Sequence, residues 1–290
     1  MPRPRPPARV AAFFALAITA LIGLGAGILS TGGTAGATGS AGSAGSTFKG
    51  IQLGGALIKD AKDSPAQGTS DNWSGYVVSP SGGHVTGVSG TFITPSAGPF
   101  LPGLSSTWVG IGGDGTSDLI QAGTAEATFP SLLGPYYAWY ELLPGGPVPL
   151  TNCIGDANCT VNPGDQMAVK ITQTGATKWT ISESDIGHWS WTNTNIQYAS
   201  HNASAEWILE SPTLLVAPLE LAGVGVVHFG SFASYSVSNG PPKAISTGNP
   251  FAFSMNLFGL GVVTEATPSS LAADGQSFNV CAYAAGCGAP

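Results

Sequence analysis

From Asn72 onward the chain alternates between short apolar-aromatic runs and clusters of turn-forming residues. The runs include NWSGYVVS, HVTGVSGTFITP, STWVGIGG, DLIQAG, YYAWYELL, QMAVKITQT, KWTISES, AEWILES, VGVVHFGSF and FAFSMNLFG. They are rich in β-branched and aromatic side chains, which suit pleated strands. Pro80-Ser81-Gly82-Gly83, Asp114-Gly115-Thr116 and the segment PGGPVP separate them, and Pro95 to Leu104 reads as a loop. Long helical periodicity is absent. This spacing predicts an all-β fold, an antiparallel β-sandwich or jelly roll of two sheets.

Successive side chains of a strand point to opposite faces. In AEWILES, Glu206, Ile208 and Glu210 then share one face, and Trp207 and Leu209 the other. In YYAWYELL, Tyr137, Trp139 and Glu141 share a face. An acid beside two aromatic rings on a strand fits a binding cleft better than a sandwich core.

The N-terminal part has a different character. Arg3, Arg5 and Arg9 precede an apolar stretch from Val10 to about Leu29, and Ala35-Gly36-Ala37 offers a small-residue cleavage site. That is the layout of a secretory signal peptide, so residues 1–37 are expected to direct export. A tract rich in Gly, Ala, Ser and Thr follows, and then a segment carrying Lys49, Lys59 and Lys62. Residues 38–70 are read as a flexible linker or pro-segment, and residues 71–290 as the β-sandwich domain.

That domain contains no Arg and three Lys (Lys170, Lys178, Lys243) against fourteen acidic residues, a net charge of −11. Such an anion is not expected to bind nucleic acid or an anionic membrane. With few basic groups it gains little positive self-repulsion when its carboxylates protonate, which suits an extracellular protein in acid. Cys153, Cys159, Cys281 and Cys287 form an even set in an exported chain, which suggests disulfides. Three pairings are possible, of which the local one closes two small loops.

Most catalytic signatures are missing from the sequence. His84, His188, His201 and His228 lie in no HExxH or comparable arrangement, so no metal and no cofactor are expected. There is no GxSxG elbow, no DTG or DSG, and no phosphate-binding glycine loop. What remains is carboxylates among aromatic residues. A Glu so placed has its ionised form desolvated, which raises its pKa and fits it for proton exchange in acid. Gln121, between Ile120 and Ala122, could donate to a developing oxyanion.

The ordered motifs NWSGYV, WVGIGGDG, LIQAG, YYAWYE and AEWILES, spanning roughly Asn72 to Gly230, resemble those of the glutamic peptidases, the eqolisin family. The family pattern runs NW-G, AWVGIDGD, ILQTG, YDAWYEW and NAE-IIE. The resemblance implies catalytic roles for Gln121 and Glu210. It implies substrate-cleft positions for Trp73, Trp108, Tyr137 and Glu141, and supporting positions for Asp114 and Glu206. Two departures stand out: Gly112 replaces the acid after WVGI, with Asp114 two positions on, and Tyr137 replaces the Asp before AWYE.

The resemblance therefore implies a secreted acid endopeptidase acting on polypeptides through Glu/Gln-activated water, without a covalent intermediate and expected as a monomer. The alternative is a lectin-like module or glycoside hydrolase on the same sandwich, with Glu141 and Glu210 as an acid pair. Asn72-Trp73-Ser74, Asn158-Cys159-Thr160 and Asn202-Ala203-Ser204 also fit the glycosylation acceptor pattern.

Overall fold

A computed structural model describes residues 51–52, 54–55, 57–59, 66–98, 103–128, 135–214, 217–257 and 263–290. The signal-peptide reading of residues 1–37 lies outside them, as does most of the linker reading.

Strands dominate the described residues. The main ones are β1 (Gln67–Ser70), β2 (Trp73–Val78), β3 (Val85–Ile93), β4 (Leu104–Gly112) and β5 (Leu119–Ala127). β6 (Tyr136–Leu142), β7 (Gln166–Gln173), β8 (Lys178–Asp185), β9 (Trp189–Gln197) and β10 (Ala205–Glu210) follow. β11 (Val226–Phe229), β12 (Ser234–Val237), β13 (Phe251–Asn256), β14 (Thr264–Pro268) and β15 (Phe278–Ala282) complete the set. One short 3₁₀ turn, Ile245–Gly248, is the helical element among the described residues.

Antiparallel pairing in the order β6–β5–β4–β10–β2–β13 builds one layer. A second layer runs β9–β8–β7–β3, with β12 and β11 on the far side of β3. β15 and β14 join β11 back to β13 and so link the layers. β3 and β7 pack across β4, β5 and β10 without hydrogen bonding to them, as expected of a sandwich.

The sheet periodicity places the chemistry. One face of the first layer carries Trp207, Leu209, Val109, Ile111, Ile120 and Ala122 into the main core, against Phe92, Val169 and Ile171 of the second layer. The opposite face carries Trp73, Trp108, Trp139 and Ile208, packed in a smaller apolar cluster with Tyr137 at its margin. Glu206 and Glu210 alternate with the core-facing side chains of β10, so they fall on this second face. Both cysteine pairs close locally, Cys153 with Cys159 and Cys281 with Cys287, which resolves the three-way ambiguity.

Candidate functional site

The side chains singled out from sequence converge on the outer face of the first layer. Gln121 on β5 stands opposite Glu141 on β6 in the ladder, and opposite Gly110 on β4. Glu210 ends β10, opposite Trp73 on β2 and Ser106 on β4. All three polar side chains are buried. What buries them includes a piece of the chain's own N-terminal region.

The segment around Gly54-Gly55 crosses this face, and each backbone polar atom of the two glycines meets a site side chain. Glu141 Oε2 accepts from Gly54 N–H at 2.9 Å. Gln121 Nε2 donates to Gly54 C=O at 2.6 Å. Glu210 Oε1 accepts from Gly55 N–H at 2.6 Å. Trp73 Nε1 donates to Gly55 C=O at 3.0 Å. One peptide unit therefore has its carbonyl on Gln121 and its N–H on Glu210. A Cβ added to Gly54 would fall 2.0–2.2 Å from the Gln121 amide atoms, so only glycine lets the backbone come this close.

The strap is tied down on both sides. Ile51 and Gln52 pair antiparallel with Leu214 and Thr213. Ile58 N–H donates to Asn72 Oδ1 at 2.8 Å, and Ile58 C=O accepts from Asp71 N–H at 3.0 Å. Lys59 Nζ lies 2.6 Å from Asp114 Oδ1. The Lys59 side chain is 58% exposed, so this ion pair contributes about 1 kcal/mol or less. The buried hydrogen bonds hold the strap more firmly.

Glu210 has further donors: Trp108 Nε1 at 2.9 Å on Oε2, and Asn72 Nδ2 at 3.3 Å on Oε1. Burial pushes its carboxyl well above the usual range. The bonds from Gly55, Trp108 and Asn72 oppose that shift, and the charge of Glu141 adds to it. Gln121 Nε2 also lies 3.3 Å from Glu141 Oε2, while Gln121 Oε1 is buried without a hydrogen-bond partner. Trp73 and Trp108 meet edge to face at 5.0 Å beneath this network, a favourable aromatic geometry.

The remaining sequence candidates sit further out. Tyr137 is partly buried near Glu141, and burial raises its pKa, with the charges of Glu126 and Glu141 adding to it. Glu206 occupies the same face of β10 as Glu210 but in the row of Gly110 and Gln121, and no hydrogen bond joins it to the strap. Asp114 receives Ser79 Oγ at 3.1 Å besides the Lys59 ion pair. Gly112 has φ +97°, and a Cβ there would lie 2.5 Å from the Asp118 carbonyl oxygen. This chain's β4–β5 turn thus excludes an acid at position 112, which explains that departure from the motif.

Sequence reasoning missed Asn72 as a site residue and noted it only as a match to the glycosylation acceptor pattern. Asn72 is fully buried and bonded to Glu210, so it is closed to glycosylation in this fold. Asn202 is buried too, and Asn158 is exposed. The available signal was its place at the head of NWSGYV.

A family model described as the Peptidase A4 family matches residues 71–270. The chain belongs to that family, the glutamic peptidases. It is accordingly an endopeptidase, a hydrolase of peptide bonds. Scytalido-glutamic peptidase, solved with a peptide-based transition state analogue, superimposes with TM-score 0.57 at 18% identity over 73% of this chain and 98% of its own. A second structure of that peptidase, with a transition state analogue inhibitor, gives 0.55 at 19% identity over 73% and 98%. SCP-B, an eqolisin complexed with the tripeptide Ala-Ile-His, gives 0.53 at 18% identity over 74% and 98%. These likenesses show the shared fold. No curated protein matches the chain.

Several carboxyls of this peptidase are buried, and they make its stability depend on pH. Burial raises Glu126 to about 8, against hydrogen bonds from Thr124 and Ser105. It raises Glu265 to about 8 and puts Glu183, Glu206 and Glu210 well above normal. A folded-state pKa above the unfolded one contributes stability that is complete below the unfolded value, near 4.5. That contribution is lost as pH climbs toward about 8. Asp118 runs the other way: burial pushes it up, but hydrogen bonds from Ser200 and His201 outweigh this and hold it low. Its contribution is lost as pH falls below the ordinary Asp range. Thermal unfolding should therefore show a maximum Tm near pH 4. The Tm should drop by about 10 °C or more by pH 8, since each kcal/mol moves the Tm of a domain this size by roughly 2–4 °C. A Tm that rises from pH 4 to 8 would contradict this.

Proposed function

We propose that the protein is a secreted acid endopeptidase in which Gln121 and Glu210 activate a water for direct attack on a peptide carbonyl. The carrying observation is the single peptide unit held with its C=O on Gln121 and its N–H on Glu210. Those are the contacts the reaction needs. With the strap released and water admitted, the burial that holds Glu210 neutral is relieved; ionised Glu210 then takes a proton from water as the water oxygen bonds to the carbonyl carbon. Gln121 donates to the oxygen as it gains negative charge. Glu210 then gives the proton to the departing nitrogen as the C–N bond breaks. Trp73, Trp108, Tyr137 and Glu141 line the substrate's path, Glu141 binding a backbone N–H. Asp114 and Glu206 support the site from the side of the β4–β5 turn. Export follows the signal-peptide reading, and the two disulfides suit an oxidising compartment. Among the described residues no helix is long and apolar enough to cross a membrane.

The strap is then the chain's own pro-segment, seated where substrate must lie. A glycosidase reading of Glu141 and Glu210 leaves the Gln121 contact without a role. Digestion of an unfolded protein from about pH 2 to 8, with products read by mass spectrometry, tests the proposal. Cleaved peptide bonds in the acid range are expected after the strap is released; hydrolysis of a soluble glucan without proteolysis would overturn it.

A second expectation concerns Trp108. Its Nε1–H stabilises the charged form of Glu210. Trp108→Phe removes that donor, so Glu210 ionises at higher pH. The acid limb of the kcat profile should move upward in pH, with catalysis retained above it. An unmoved acid limb would separate Glu210 from the titration.

A further inference from the structure

We propose that Asp165, Asp185 and His188 form a binding site for a divalent transition-metal cation on the side of the sandwich away from the peptidase centre. The three residues are brought together by the fold, not by a sequence motif. Asp165 lies in the turn leading into β7, and Asp185 ends β8, which pairs with β7. His188 stands in the turn between β8 and β9. One carboxylate oxygen from each Asp and one ring nitrogen of His188 all lie within 4.8 Å of one another.

The observation that points to a ligand is the state of Asp185. Its side chain is 2% exposed. Oδ2 meets His188 Nδ1 at 2.6 Å, yet Oδ1 is buried with no hydrogen-bond partner. A buried carboxylate oxygen without a donor is costly, and the neighbouring Asp165 carboxylate adds repulsion. The imidazole satisfies only one of the two Asp185 oxygens, and the other polar group beside Asp185, the Asp165 carboxyl, offers a hydrogen bond only while it holds a proton. A dication held by both carboxylates and the imidazole would offset the repulsion and give Oδ1 a partner.

The ligands are already positioned. Asp165 accepts from Asn162 N–H at 2.6 Å, and its backbone carbonyl accepts from Thr94 N–H at 2.9 Å. The turn at His188 is closed by His188 N–H donating to Asp185 C=O at 3.0 Å, and Ile186 N–H donates to Gln166 C=O at 2.9 Å. His188 is 67% exposed on its side chain, so an ion can enter from solvent and keep water ligands there. Two carboxylates with one imidazole favour zinc or manganese over calcium, which takes all-oxygen sets. Bound there, the ion would pin the β8–β9 turn to the start of β7. No sequence motif marked the cluster, because the ligands sit at the ends of different strands, outside any HExxH-like spacing.

Isothermal titration of metal-stripped full-length protein with ZnCl2 at pH 7 tests the site. The parent is expected to bind one equivalent that His201→Ala leaves unchanged. His188→Ala and Asp165→Asn should each weaken it by about tenfold or more, since even partners behind the ligands typically matter that much. His188 and Asp165 lie outside the buried core, so these variants keep the fold even if Asp185→Asn does not. No saturable zinc binding by the parent would overturn the proposal and leave His188 as a plain counter-charge. Binding unchanged in both His188→Ala and Asp165→Asn would overturn it as well.

Discussion

Glu210→Gln should lower kcat for peptide hydrolysis by roughly four orders of magnitude, the upper end of what a proton-transferring side chain supplies. The substitution keeps size and shape, and the new side chain can still accept from Trp108 Nε1, now at 2.9 Å from Oε2. It cannot take a proton from water. Gln121→Ala should cost about 10²- to 10³-fold, the usual loss when one oxyanion donor is removed. In both variants KM should rise by less than kcat falls, because each loses one ground-state contact of about 1 kcal/mol, while Trp73 and Glu141 still grip the substrate backbone as they grip Gly55 C=O and Gly54 N–H. A Glu210→Gln protein that keeps parental kcat, with its Tm intact, would remove this residue from the chemistry.

The second large effect concerns the strap. A chain that retains residues 51–59 should be latent. Four buried hydrogen bonds fix Gly54-Gly55. At about 1 kcal/mol net each they disfavour the open site by roughly 4 kcal/mol, or about a thousandfold. Activity should appear only after a lag in acid, together with loss of the N-terminal segment. Gly54→Val forces a side chain into the space held by the Gln121 amide. It should shorten the lag and raise initial activity by at least about tenfold, since losing two of these bonds, about 2 kcal/mol, has that effect. Once both chains are trimmed to begin at Ala66, which keeps β1 paired with β13, they are identical and should share one kcat. Full activity without a lag in the parent, indistinguishable from Gly54→Val, would show that the strap does not restrain the enzyme.

Most strands of the sandwich were legible because aromatic and β-branched runs alternate and turn residues separate them; the more polar strands Gln67–Ser70, Trp189–Gln197 and Ser234–Val237, and the short Thr264–Pro268 and Phe278–Ala282, were not picked out. Strand periodicity also put Glu206 with Glu210, and Tyr137 with Glu141, on single faces, as the structure has them. The motif order named Gln121, Glu141, Glu210 and Trp73, which the fold brings around one peptide unit. Pairing between distant strands was not legible. Nothing local in LIQAG and AEWILES says that β4 lies between them. Asn72 was not named as a site residue because its partner, Glu210, is 138 residues away in sequence. Gly54-Gly55, within the linker or pro-segment reading, carried no sign of a site contact because its four bonds run to distant side chains. The Asp165–Asp185–His188 cluster escaped for the same reason.

The most direct measurement is kcat/KM on one peptide in acid, for the strap-free parent, Gln121→Ala, Glu210→Gln and the double variant. If the two side chains act as one unit on one bond, the double variant should be little worse than Glu210→Gln alone. Parental kcat/KM in Glu210→Gln, or two losses that simply multiply, would contradict a shared site built on this pair.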